Sequence, residues 1–117
     1  MKGSAYGAGG QPLTLRAERE VVRVAGEVDA TSADRLAEAL TRAIAKFDVV
    51  VADLGAVTFL GSAGLAVLVK VHNEARARGG ALRVVATTPA VLVVLSATLL
   101  HNVLSVHGSV PEALEAD

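Results

Sequence analysis

The residues most able to do chemistry lie in Leu60-Gly61-Ser62-Ala63-Gly64. Ser62 stands between residues with almost no side-chain bulk, so its hydroxyl is open to an incoming group. It also stands where an apolar strand and a short loop give way to a helical pattern. A serine at that place can do one of three things. It can cap the free amides of the helix, or accept a phosphoryl group whose charge the helix N-terminus tolerates, or serve as an activated nucleophile. The nucleophile is the poorest fit. A strand-to-helix nucleophile elbow needs glycine two residues before the serine, and Leu60 is there; the domain is also small for the fold that carries such an elbow. Glu27 and Asp29 are the acids expected near the same sheet end, as surface acids or as contacts to a basic partner. Asp53 is expected to hold its own loop through its side chain, and Thr58 is a lesser candidate for modification.

Other site classes are excluded by residue type. There is no cysteine, which removes disulfides, thiolate catalysis and Cys-based metal or redox sensing. His72, His101 and His107 do not form a ligand cluster at zinc-like spacing, so no metal is expected, and no cofactor motif is present. Gly7 to Gly10 lacks both the preceding strand and the following Lys-Ser/Thr of a phosphate loop. Eleven basic and twelve acidic residues are spread along both halves of the chain, and aromatics are 3% of it. A nucleic-acid binder would need a basic face or a stacking platform, and neither is seen. No apolar run approaches the roughly 18 residues of a membrane span, and Lys2 leads into a Gly-rich stretch instead of a signal sequence. A cytoplasmic protein is expected.

The elements that must position Ser62 follow from periodicity. Residues 1–10 are Gly-rich and read as a flexible leader, with one domain over 11–117. Leu13 and Leu15, then Val21 to Ala25, suggest two strands joined by a charged turn at 17–20. Val22 and Val24 share one face; Val21, Arg23 and Ala25 share the other. Gly26-Glu27-Val28-Asp29 reads as a strand exit. Thr31 and Asp34 have capping-box spacing ahead of a helix over 32–46 with Leu36, Leu40 and Ile44 inward. Val49-Val50-Val51-Ala52 reads as a strand buried on both faces, 53–61 as a loop, and 62–78 as a helix. In that helix Leu65, Leu68, Val69 and His72 share a face, and Gly79-Gly80 ends it. A strand over 82–86, a helix over 89–99 with Thr88 as its cap, a strand over 103–106 and a helix over 109–115 complete the chain. The order β-β-α-β-α-β-α-β-α implies an α/β domain with a mixed, mostly parallel sheet of about five strands and about four helices.

Several of these stretches, in this order, resemble a STAS domain of the anti-sigma factor antagonist (anti-anti-sigma factor) type. The resemblance covers about residues 12–115. It rests on Gly26-Glu27-Val28-Asp29, Asp53-Leu54, Val57 through Leu65, Gly79-Gly80 and Thr88-Pro89-Ala90-Val91. It implies a STAS-like single domain and a regulator that is not an enzyme. Its partner would be an anti-sigma factor that is also a serine kinase, and Ser62 would be the phosphoacceptor. Glu27, Asp29, Gly61, Ala63 and Gly64 would contribute to the partner-binding surface. The unmodified protein would bind the partner and free a sigma factor, and phosphorylation would end the binding. Two alternatives from other classes are a STAS module that binds a small ligand such as a nucleotide, and a scaffold that is never phosphorylated. The chain departs from the family pattern at Gly61, where an aspartate is usual, and at Leu99, where glycine is common. The third helix reads as apolar all round, so Leu92 or Val93 is expected on a partner or homodimer surface.

Overall fold

A computed structural model describes residues 11–18 and 20–116. The Gly-rich leader expected at 1–10 lies outside them. The chain runs β1 (Thr14–Glu18), β2 (Val21–Val28), α1 (Ala33–Lys46), β3 (Val49–Leu60), α2 (Ser62–Ala77), β4 (Ala81–Val85), α3 (Pro89–Ala97), a single 3-10 turn (Leu100–Asn102), β5 (Ser105–His107) and α4 (Val110–Glu115). The five strands form one sheet in the order β1-β2-β3-β4-β5. β1 and β2 are antiparallel; every later neighbour is parallel, as strands joined through crossover helices must be.

Alternation along the strands divides the sheet between two unequal layers. Val22, Val24, Val50, Ala52, Leu82 and Val84 face a core shared with Leu36 and Leu40 of α1, Leu68 and Val71 of α2, and Val91 and Leu95 of α3. On the other face Val21, Val51 and Val85 meet Ala113 of the short α4. β3 is therefore covered on both sides, which is why residues 49–52 are continuously apolar.

The largest departure from expectation is β3. Residues 53–60 are strand, not loop. Against β2 the pairing runs Arg23 with Asp53, then Ala25 with Ala56, then Gly26 with Val57 and Glu27 with Phe59. At each of the two irregularities β3 carries one residue more than β2, as in a β-bulge, and each bulge shifts the parity of inward side chains. Leu54, Val57 and Leu60 are consequently buried at a spacing of three. A period-two reading sees no strand in that pattern.

Smaller differences have local causes. β2 continues through Val28, so Glu27 lies inside a strand. Helix α1 has Ser32 at its N-cap position, with no side-chain cap bond; the Thr31/Asp34 box does not form. Instead Asp29 Oδ1 accepts from Thr31 N (2.9 Å) and Thr31 Oγ1 (2.6 Å), an Asx turn that uses the threonine as donor. Thr88 sits at the N-cap position of α3 but makes no cap bond. Helix α3 ends at Ala97 and has two distinct sides: Val91 and Leu95 are buried, while Leu92 and Val93 are exposed. The last strand and helix begin two and one residues later than their patterns suggest.

Candidate functional site at the start of the second helix

Parallel strands β2 and β3 deliver their C-terminal ends to the same edge of the molecule. Glu27 is opposite Phe59 and Val28 opposite Leu60, and Gly61 N donates to Val28 O (2.9 Å), fastening the two strand ends together. Gly61 has extended backbone, and its carbonyl accepts from Leu65 N (3.1 Å), the first bond of α2. Gly61 is therefore the N-cap. Ser62 is the first helical residue and does not cap; its side chain is exposed and has no hydrogen-bond partner among the described residues. The amides of Ser62, Ala63 and Gly64 all precede the first intrahelical bond, so they carry the positive end of the helix dipole. No acidic residue occupies the first turn of α2 to neutralise it.

Gly64 determines how closely this helix start approaches the strands. A Cβ added there would lie 2.6 Å from Val28 Cγ1 and 2.7 Å from Leu60 Cδ1, both on buried side chains. The absence of a side chain lets the first turn of α2 rest directly on the ends of β2 and β3. The other end of α2 is closed by Gly79 with φ +82°, the left-handed residue of a helix stop.

The expected site residues are thus brought together in part. Gly61 through Gly64 and Glu27 share one edge, and among the described residues the half-buried Glu27 side chain makes no hydrogen bond or ion pair. Asp29 follows directly from β2, but its carboxylate is engaged locally. Hydrogen bonds from the Thr31 hydroxyl and then the Thr31 amide hold it below the usual carboxylate range. Thr58 is exposed at the second bulge of β3. Asp53 stands apart, holding Gly55 N through Oδ1 (2.9 Å) and Arg23 Nη1 through Oδ2 (2.9 Å). His72 is packed against the core well along α2, with burial and then the Arg76 charge lowering its pKa from 6.5.

Sequence reasoning missed Phe59. It is 51% exposed beside Ser62, an unusual position for one of only two phenylalanines in the chain. A Cβ at Gly61 would approach the Phe59 ring at 3.1 Å (Cε2) and 3.4 Å (Cζ). The aromatic ring thus lies over the space an acidic side chain at position 61 would enter. The parity shift of the bulge hid it, because Phe59 sits between Val57 and Leu60 and both of those turn inward.

The STAS domain family matches residues 13–113, nearly all of the described chain. The protein belongs to the STAS domain family. An anti-sigma factor antagonist from Mycobacterium paratuberculosis shares 30% identity with this STAS domain, over 90% of this chain and 92% of its own, with a TM-score of 0.79. An anti-sigma-factor antagonist (STAS) domain protein from Planctomyces limnophilus is 21% identical over 89% of this chain and 96% of its own, TM-score 0.70. The Bacillus cell fate determinant SpoIIAA, in its phosphorylated form, is 18% identical over 89% and 97%, TM-score 0.63. The last two likenesses establish the fold. No curated protein matches the sequence. Among the described residues no helix is long and apolar enough to cross a membrane.

Proposed function

We propose that this STAS domain is an anti-sigma factor antagonist whose docking to an anti-sigma factor with serine-kinase activity is ended by phosphorylation of Ser62. It would act in the cytoplasm and regulate transcription indirectly, as substrate and docking partner and not as catalyst. The observation that carries this reading is the Ser62 hydroxyl. It is exposed, free of hydrogen bonds and flanked by Gly61 and Ala63, at a helix start in a chain similar to an anti-sigma factor antagonist.

The chemistry suits the place. Ser62 Oγ would attack the γ-phosphorus of ATP held by the partner, the bond to the bridging oxygen would break, and ADP would leave. The hydroxyl proton would pass to a base on the partner. The product adds a charge of about −1.5 to −2 and three acceptor oxygens beside the free amides of α2. The helix N-terminus favours that charge by about 0.3–1 kcal/mol, so the fold should persist while the docking surface changes sign. Glu27 and the exposed faces of Phe59, Ala63 and Gly61 would make the partner contact in the unmodified state. Leu92 and Val93, exposed on α3, would form a second apolar contact, in a homodimer or with the partner.

The test is to incubate the full chain with ATP and each of the host's anti-sigma factor kinases, reading intact mass and complex formation. One phosphoryl group on the wild type and none on Ser62→Ala is the expected result, with Ser62→Ala still forming the complex and Ser62→Asp losing it. No phosphate and no complex with any candidate would overturn the reading. Replacing both Leu92 and Val93 by Lys with no change in oligomer size or partner affinity would remove the second contact alone.

A further inference from the structure

Helix α3 has a side that is neither core nor charged surface. Val91 and Leu95 turn into the core, while Leu92, Val93, Ser96 and Ala97 are exposed. Leu99, just past the helix end, continues the row of Leu92 and Ser96 at helical spacing. A surface helix ordinarily puts charged residues on its free side. Here there is no Asp, Glu, Lys or Arg from Val84 to Pro111, although charged residues make up 20% of the chain.

Leu92 is 41%, Val93 62% and Leu99 63% exposed, and Val103, after the 3-10 turn that packs on α3, is 48% exposed. Together they present on the order of 400 Å² of apolar surface, the size of patch that marks an interaction site on a small protein. Leu99 also holds left-handed backbone, φ +62°, where glycine would sit without strain. A leucine kept in that conformation and open to water gains little within the monomer. Ser96 and Ala97, by contrast, leave the middle of the row low, so a second helix can come close between the larger residues at its ends.

We propose that this row is the interface of a homodimer, in which the α3 helices of two copies pack antiparallel about a two-fold axis at Ser96. Such a pairing sets Leu92 of one protomer against Leu99 of its partner, twice, with Ser96 and Ala97 at the centre. The lack of charge selects a second copy as the occupant. A two-fold interface lays a patch on itself, so a charge near the axis would meet its own like, and this stretch has none. A partner recognised through charge, or an anionic membrane, would find nothing here to attract it. The area is at the small end of specific interfaces and gives a reversible dimer of micromolar or weaker affinity. This inference rests on the second apolar contact read above and decides between its two occupants; it involves neither Ser62 nor a kinase.

The mass of the full chain is measured by sedimentation equilibrium from micromolar to millimolar concentration, without ATP. A monomer–dimer equilibrium is expected. Ser96→Lys and Ser96→Glu should each abolish it, because like charges meet at the axis, and an equimolar mixture of the two should restore a dimer. Leu99→Gly should weaken association by at least about tenfold, since a leucine's buried surface leaves both symmetric contacts, while melting no lower than wild type in dilute solution. That combination separates an interface residue from one that only supports the fold. The proposal is overturned if the wild type stays monomeric throughout, with phosphatidylcholine vesicles or the anti-sigma factor then the occupant of the patch. It is equally overturned by a dimer that Ser96→Lys and Leu99→Gly leave unchanged, or by a mixture of the two Ser96 variants that restores nothing. Absence of phosphate on Ser62 would overturn the docking function alone.

Discussion

Replacing Gly64 with alanine should destabilise this domain although the residue lies in a helix. Intrinsic propensity alone favours alanine by up to about 1 kcal/mol. Against that, the new methyl would stand 2.6 Å from Val28 Cγ1 and 2.7 Å from Leu60 Cδ1. Carbon atoms prefer roughly 3.5–4.0 Å, so both contacts are about 1 Å too short. Neither neighbour has room to turn: Val28 is fully buried and β-branched, and Leu60 is 2% exposed. Overpacking of this kind costs about 1–3 kcal/mol, and two simultaneous clashes belong to the upper half of that range. The net loss is about 1–2 kcal/mol. For 117 residues the unfolding entropy converts 1 kcal/mol into about 4 °C, so Tm should fall by about 4–8 °C. The control is Ala66→Gly, at an exposed position of the same helix, which should lose about 1 kcal/mol through propensity alone. Opposite substitutions two residues apart would then both lower Tm. Differential scanning calorimetry of the three proteins checks this, and a Gly64→Ala protein that melts higher than wild type would refute the close-approach argument. Because relief of the clash would lift the first turn of α2 away from the sheet, the variant should also be slower in the phosphorylation proposed for Ser62.

Leu99 has φ +62° and is 63% exposed, so it bears left-handed strain with little burial in return. Leu99→Gly should therefore raise stability by about 0.5–1 kcal/mol, the strain relieved less the entropy glycine adds to the unfolded chain, as denaturant titration would show. His72 gives a pH dependence with a definite sign. Its folded pKa is depressed below 6.5, so below that pH the unfolded chain binds more protons than the folded one and stability falls as pH falls. Tm measured across that window should decline less steeply in His72→Leu than in wild type. Asp29 acts at lower pH: its depressed carboxyl contributes above the ordinary value of 3.8, and the contribution is lost as pH falls through the native value. Asp29→Ala should flatten that acid limb without altering, at neutral pH, the phosphorylation proposed for Ser62.

Much of the fold is legible in local pattern. The 3.6-residue period of Leu36, Leu40 and Ile44 marks α1, the β-branched run at 49–52 marks a strand covered on both faces, and Arg76 with Gly79 marks the end of α2. What resists such reading is the second half of β3. Two extra residues relative to β2 break the alternation on which strand recognition depends, and only the neighbouring strand reveals where they are. The same shift concealed Phe59. Capping chemistry is not legible from residue type for a related reason: Thr31, Ser32 and Thr88 are all acceptable caps by type, and the path of the backbone decides which oxygen meets an amide.

At the start of α2 the division is clear. Residue types alone determined that Ser62 would be unhindered, that no thiol could take its place, and that the chain resembles an anti-sigma factor antagonist. Tertiary structure decided that Gly61 is the cap and Ser62 is free. It also brought Glu27 to the same sheet edge as Ser62 while committing Asp29 to its own turn, and laid Phe59 over the space that a side chain at position 61 would enter. The physical reason is that parity, burial and hydrogen-bond partners at a strand end depend on the register with the adjacent strand, which lies some thirty residues away in sequence and leaves no local trace.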